Sequence, residues 1–217
     1  MLFFGHVGVT LGAVALLRRA FAHDQRSQSD IAQGLDPDSA SVHQSTPADD
    51  TVATVSSTSR RFFDWRWVLL GSMLPDLIDK PIGALIFNDT FGGNGRIFAH
   101  TLLFNLLLLS IGLYFYHRRD RAGLLVLALC SMGHLALDSM WKHRCAATLW
   151  WPLEGWEFPR YDLDLGNWIS AMLEGLQTNP ALFIPEAIGG AVVASFVVYL
   201  LKKKSVVYFI KTGSVNR

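Results

Sequence analysis

Long apolar segments alternate with short polar ones along most of the chain. A helix crosses a bilayer with about 20 largely apolar residues, because each residue adds roughly 1.5 Å of rise. Five segments approach or reach that length, namely Leu2–Leu17, Trp67–Phe87, Ile97–His117, Ala122–Trp141 and Ala181–Leu201. Pro75 interrupts the second, so we expect a broken or half-inserted helix there. The pattern predicts an all-α fold, a polytopic membrane helical bundle of about five spans.

One segment differs sharply from the rest. Residues 23–60 are rich in Ser, Thr, Asp, Gln and Ala and contain scarcely an aromatic side chain. Such a segment cannot bury enough apolar surface to offset its ordering entropy, so we predict a disordered loop. The chain is then one membrane-embedded helical domain, 1–217, interrupted by this linker. We expect the first apolar segment to be a retained anchor, since Arg18 and Arg19 follow it and no basic region precedes it.

Basic residues predict the topology, because Lys and Arg are enriched in cytoplasmic loops. If the turn at 118–121 is cytoplasmic, alternation through five spans places every other basic cluster inside as well. These clusters are Arg18 and Arg19, Arg60 and Arg61, and Lys202–Lys204. The N-terminus is then outside, and the C-terminus and the 23–60 loop are cytoplasmic. Most of the tryptophans then lie at the outer interface, as an aromatic belt does.

Composition supports a membrane location and excludes some functions. Hydrophobic residues make up 51% of the chain, charged residues only 17%, and the formal net charge is +1. A chain so nearly neutral, with no basic run among its aromatics, is not expected to bind nucleic acid. We expect an integral protein of the plasma or inner membrane. Its expected partners are membrane lipid and a small-molecule or lipid substrate, and its protein partners stay open.

Histidines and aspartates recur within the apolar segments. An ionised carboxylate at bilayer depth costs about 3 kcal/mol on insertion scales, so such residues need partners. With the predicted topology, all of them lie in the outer half of the membrane. A shared divalent metal is the simplest common partner, and mixed nitrogen and oxygen ligands favour zinc, with manganese as the alternative. The candidate ligands are His6, Asp76, Asp79, His100, His134 and Asp138.

Spacing supports these candidates but leaves alternatives open. Asp76 and Asp79 are three residues apart and share a helix face, where two carboxylates repel unless a cation or a proton lies between them. A helix N-terminus would also explain Asp after Pro. His134 and Asp138 are four apart, so both bind metal, or Asp138 orients His134, or the two form a buried hydrogen bond. His100 has a structural alternative, as does His6.

Several short motifs occur in a recognisable order. They are Gly5-His6, GSMLPDLIDKPIG at 71–83, GRIFAHTLLF at 95–104, GHLALDSMW at 133–141 and WWPLEG at 150–155. Together they resemble the membrane-bound metal-dependent hydrolases, also described as LexA-binding, inner-membrane-associated hydrolases. The resemblance implies that the six candidates are metal positions, and it implies a distant similarity to the zinc-dependent phospholipase C and P1 nuclease group. The chain departs from the pattern where Lys80 replaces a histidine.

These observations favour a metal-dependent hydrolase at the outer membrane interface, acting on a lipid or lipid-linked phosphoester. Asp79 is the candidate general base, and Arg96 is the candidate group that stabilises phosphoryl charge. A non-catalytic metal-binding adaptor, with the 23–60 loop as its binding element, is the alternative. A proton or ion transporter is disfavoured, because the inner half offers little polar chemistry beyond Asn105 and Cys130.

Overall fold

A computed structural model describes residues 3–34, 64–160 and 165–215. The described residues form helices and loops without a strand, so the all-α prediction is confirmed for them. The helices are α1 (Phe3–Gly34), α2 (Trp65–Lys80), α3 (Asn88–Phe91), α4 (Leu102–Arg119), α5 (Gly123–Leu137), α6 (His143–Leu149), α7 (Leu165–Thr178), α8 (Pro180–Lys202) and α9 (Val206–Thr212). A π-helical turn, Pro81–Ile86, follows α2 directly.

The chain divides into two compact units. One contains Met1–Leu11 and Phe63–Arg217, and the other contains Gly12–Phe62. Helix α1 runs into the predicted linker as far as Gly34, so the start of that linker is helical. The rest of it, 35–60, lies outside the described residues. All candidate site residues belong to the first unit.

The apolar helices differ in length. Among the described helices, α8 is long and apolar enough to cross a membrane, while α5 is apolar but shorter. The apolar segment that follows Arg96 begins as a loop rather than as a helix, because helix α4 starts only at Leu102. The prediction of about five spans is therefore not confirmed by helix length and hydropathy.

Glycines allow the helices that carry the site to approach closely. A side chain at Gly71 of α2 would overlap the backbone of α5 at Leu127, and one at Gly112 of α4 would overlap α5 at Leu125. Helix α5 thus packs between α2 and α4. The first turns of α1 meet α8 in the same way, through Gly8 and Gly189. These contacts bring residues that are distant in sequence to one end of the bundle.

Helix α2 does not break where the sequence predicts. It continues through Pro75, which is fully buried, and leaves α-helical geometry only at Pro81. Pro75 removes one hydrogen bond from the helix interior, since it has no N–H. Packing against α5 holds the helix together across that point. Asp76 and Asp79 therefore both lie in the last turns of a continuous helix and face the bundle interior.

Candidate metal centre

All six candidate ligands meet at one end of the bundle. His6 comes from the first turns of α1, Asp76 and Asp79 from the end of α2, and His134 from the last turn of α5. Asp138 caps the C-terminus of α5, and His100 belongs to the loop before α4. The side chains of His100, Asp79 and His134 are fully buried, and that of Asp138 is 2% exposed. The predicted convergence is thus present in the fold.

Asp79 holds the loop that precedes α4. Its carboxylate accepts hydrogen bonds from the backbone N–H groups of Ile97, Ala99 and His100, at 2.9–3.0 Å. The His100 ring adds a fourth, with Nδ1 at 2.7 Å from Asp79 Oδ2. Since the carboxylate is surrounded by these donors, it orders the loop and fixes the orientation of the His100 ring.

The two buried histidines beside Asp76 have matching tautomers. His100 Nδ1–H donates to Asp79, and His134 Nδ1–H donates to the Ser72 carbonyl at 2.7 Å. Each ring therefore carries its lone pair on Nε2. These two Nε2 atoms are buried and have no hydrogen-bond partner among the described residues. Both point toward Asp76 Oδ1, at 3.6 Å from His100 and 3.8 Å from His134.

Each of these two distances to Asp76 Oδ1 fits a shared metal ion better than a hydrogen bond. Hydrogen bonds of this kind span about 2.7–3.2 Å, whereas two ligands at about 2.1 Å from a tetrahedral zinc ion lie roughly 3.4 Å apart. Ligand atoms of His6, Asp76 and His134 lie within 4.8 Å of one another, as do those of His100, His134 and Asp138. His134 belongs to both groups. The donor set present here therefore fits a divalent cation.

A second cluster lies beside the first and is built around Asp138. Asp138 Oδ1 is 3.0 Å from His6 Nε2, and Oδ2 accepts from Arg96 Nε at 2.8 Å and pairs with Nη2 at 2.7 Å. Burial lowers the pKa of Arg96, but the Asp138 charge and other nearby negative groups outweigh it and leave this pKa raised. The His6 and His134 rings stack, with centroids 3.9 Å apart. The two clusters are therefore in direct contact.

Lys80 pairs with the second oxygen of the Asp76 carboxylate. Its Nζ lies 2.7 Å from Asp76 Oδ2, at the i,i+4 spacing of helix α2. The Asp76 carboxylate thus faces a cation with one oxygen and two histidine nitrogens with the other. In the sequence, Lys80 stands out only as a departure from the family pattern, although ion pairs often form between helix residues four apart.

Buried polar side chains support the His100 loop from the side of α4 and α5. Asn105 Nδ2 donates to the Ala99 and Thr101 carbonyls, and Ser131 Oγ donates to Asn105 Oδ1 at 2.7 Å. Both Asn105 and Ser131 are fully buried. Neither residue has a predicted role in the site. Ser72 has none either, because it acts through its backbone carbonyl and leaves no signal in residue type.

A family model described as YdjM inner membrane protein matches residues 50–212, about three quarters of the chain. His6 lies outside this range, and the other site residues lie within it. No curated protein and no solved structure matches the chain. The match confirms the membrane-protein part of the resemblance found in the sequence, and it carries no information on hydrolase activity, LexA binding or topology. Because it covers well over half of the sequence, the chain belongs to the YdjM inner membrane protein family.

Proposed function

We propose that this protein is a membrane-embedded metal-dependent hydrolase whose divalent ion is held by His100, His134 and Asp76. The observation that carries this proposal is the pair of buried Nε2 lone pairs facing one carboxylate oxygen. Two lone pairs and a carboxylate oxygen repel one another unless a cation lies among them. Zinc is the proposed metal, because imidazole and carboxylate ligands suit it.

The side chains around this trio have separate proposed tasks. When bound, a divalent ion supplies Lewis acidity that polarises an ester and makes a water molecule more acidic. Asp79 and the Ser72 carbonyl keep the histidine rings in the ligating tautomer, as partners of metal-bound histidines do. The His6–Asp138 pair packs against this trio through the stacked rings of His6 and His134. Asp79 as general base stays a prediction, and its four hydrogen bonds favour a positioning role instead.

Exposed apolar side chains support the proposal that lipid surrounds the bundle. Soluble proteins rarely expose large contiguous apolar patches. On α4, Leu103, Leu107 and Ile111 are 42–56% exposed, and α8 exposes Phe183, Ile188 and Val197 to a similar degree. The proposed topology keeps the N-terminus outside, so the site faces the outer interface. There it would act on a lipid or lipid-linked phosphoester.

Metal content tests the proposal directly. Detergent-purified wild type should contain about one equivalent of zinc or manganese by mass spectrometry, since three protein ligands form one catalytic zinc site. An Asp76→Ala/His134→Ala double variant should lose it. His117→Ala is the matched control, because His117 is an exposed histidine at the end of α4. A folded wild type that contains no metal and takes up none would refute the proposal.

The adaptor alternative predicts that function depends on a different part of the chain. A metal-binding adaptor would need the 23–60 loop, whereas a hydrolase would not, because none of the site residues lies in it. Deleting residues 35–60 should therefore leave metal content unchanged and preserve activity against a lipid phosphoester. Loss of cellular function with intact metal content and no hydrolysis would favour the adaptor.

A further inference from the structure

Two cations stand at the edge of the candidate metal centre. Lys80 pairs with Asp76, and Arg96 pairs with Asp138. The acids are almost completely buried, with side chains 7% and 2% exposed, whereas the cations are 41% and 38% exposed. Each ion pair therefore has its acid inside the site and its cation on the side that a ligand can reach.

The two cations lie on adjoining parts of the structure. Gly95 packs against the stem of Lys80, so that a Cβ at this glycine would lie 3.1 Å from Lys80 Cγ. Arg96 is the next residue along the chain. Asn94 holds this turn in place, because its side chain accepts from the Arg96 N–H and donates to the Pro159 carbonyl. The backbone immediately before Arg96 thus lies against the stem of Lys80.

Arg96 keeps part of its hydrogen-bonding capacity. A guanidinium group has five N–H donors, and the pair with Asp138 uses its Nε and Nη2 edge. The group matches the geometry of phosphate and carboxylate oxygens, and Lys binds phosphate as a point charge. An anion that arrives at this edge of the site meets both kinds of donor.

We infer that Lys80 and Arg96 form an anion-binding subsite for a phosphomonoester, and this inference rests on the proposed function. With a divalent ion held by the metal trio, Lys80 and Arg96 would complete a set of three positive centres at this site. A phosphomonoester has three free oxygens, one for each centre, whereas a carboxylate has only two. In hydrolysis, water attacks phosphorus, the bond from phosphorus to the alcohol oxygen breaks, and a proton passes to that oxygen. The products are an alcohol and inorganic phosphate, so phosphate itself should bind here.

Calorimetric titration with inorganic phosphate tests the subsite without an activity assay. The protein is the full chain in a nonionic detergent, loaded with zinc, and its metal content is measured in the same samples. Lys80→Gln removes the positive charge and keeps a hydrogen-bond donor for Asp76. Arg96→Lys keeps the positive charge and loses the planar guanidinium group that can donate two parallel hydrogen bonds. Each should weaken phosphate binding about tenfold or more, as the loss of one charge-assisted hydrogen bond does. Lys203→Gln is the matched control, because this exposed lysine follows the far end of α8, roughly 21 Å along the helix from Gly189, which contacts α1.

Equal phosphate affinity in wild type, Lys80→Gln and Arg96→Lys would overturn the subsite and leave the metal proposal intact. A protein that takes up no metal but loses phosphate binding on Lys80→Gln would refute the proposed function and keep the subsite. Reconstitution into phosphatidylcholine nanodiscs, with or without phosphatidic acid, identifies the source of the phosphoryl group. Competition between phosphatidic acid and free phosphate indicates a lipid headgroup, and unchanged phosphate binding indicates a soluble ligand.

Discussion

Two carboxylates three residues apart on one helix have opposite surroundings. The Asp79 region is a closed network, in which three backbone N–H groups and one imidazole N–H point at the carboxylate. The Asp76 region is open by comparison, since one oxygen faces two imidazole lone pairs and the other faces Lys80. Asp79 meets only donors, whereas Asp76 meets acceptors on one side and a partly exposed cation on the other.

This difference indicates two roles for the carboxylates, one that stabilises the fold around the site and one that binds a ligand. A buried carboxylate with enough donors needs no further partner and stabilises the fold around it. A buried carboxylate oxygen beside two lone pairs is costly without a cation, and such unsatisfied polar groups are typical of functional sites. We therefore propose a structural role for Asp79 and ligand binding at Asp76, although both residues look alike in the sequence.

Removing Asp79 should produce the largest loss of stability. Asp79→Ala leaves the N–H groups of Ile97, Ala99 and His100 buried without their acceptor, and we expect a cost of about 3–5 kcal/mol. Thermal unfolding of the metal-free protein in detergent measures it. Asp89→Ala is the matched control, since Asp89 is exposed on α3, and it should change stability by less than about 0.5 kcal/mol. An Asp79→Ala protein with the same melting temperature as the wild type would show that the loop does not depend on this carboxylate.

Changing Asp76 should have a smaller effect, and one that depends on metal. Asp76→Asn keeps the shape of the side chain and removes the charge that would hold the ion. In the metal-free protein we expect little loss of stability, because a costly buried charge disappears. With zinc at about 100 times its dissociation constant, wild type should gain about 2.7 kcal/mol and the variant much less. The same zinc-induced rise in melting temperature in both proteins would remove Asp76 from the site.

The residues that meet at the candidate site could largely be named from residue type and spacing. The three-residue step from Asp76 to Asp79 and the four-residue step from His134 to Asp138 correctly indicated that these side chains share a region. The apolar segments and the composition indicated a membrane protein, and the family match confirms this. Each of these signals is local or follows from the mean composition of a segment.

The division of roles between the carboxylates could not be predicted in the same way. It depends on where the loop before α4 folds, and the sequence predicts an apolar membrane span at the position of that loop. Its backbone turns toward Asp79 instead of continuing the helix, and Thr101 then starts α4 by accepting from the Phe104 N–H. Ser72 contributes only a carbonyl. Contacts made by backbone atoms have no signature in side-chain type, so spacing rules do not find them.

The smallest expected effect concerns the support of the His100 loop from α5. Ser131→Ala removes the hydroxyl that donates to Asn105, and Asn105 in turn holds the loop by the Ala99 and Thr101 carbonyls. We expect Ser131→Ala to cost about 1 kcal/mol, as a single buried hydrogen bond does. A double-mutant cycle with Asn105→Ala in thermal unfolding should give a coupling energy of about 1 kcal/mol. Ser110→Ala is the control, since Ser110 bonds only within its own helix and is exposed.

The same variants distinguish support of the loop from support of the metal ligand. If the Asn105 network holds His100 in its ligating position, Ser131→Ala should also weaken zinc binding, by about tenfold for a partner of this kind. A loss of stability with unchanged zinc affinity would mean that Asp79 alone orients His100. In that case Asp79 and Asp76 would differ still more in role, because the order of the candidate metal centre would then depend on one residue of α2 rather than on the packing of α4 against α5.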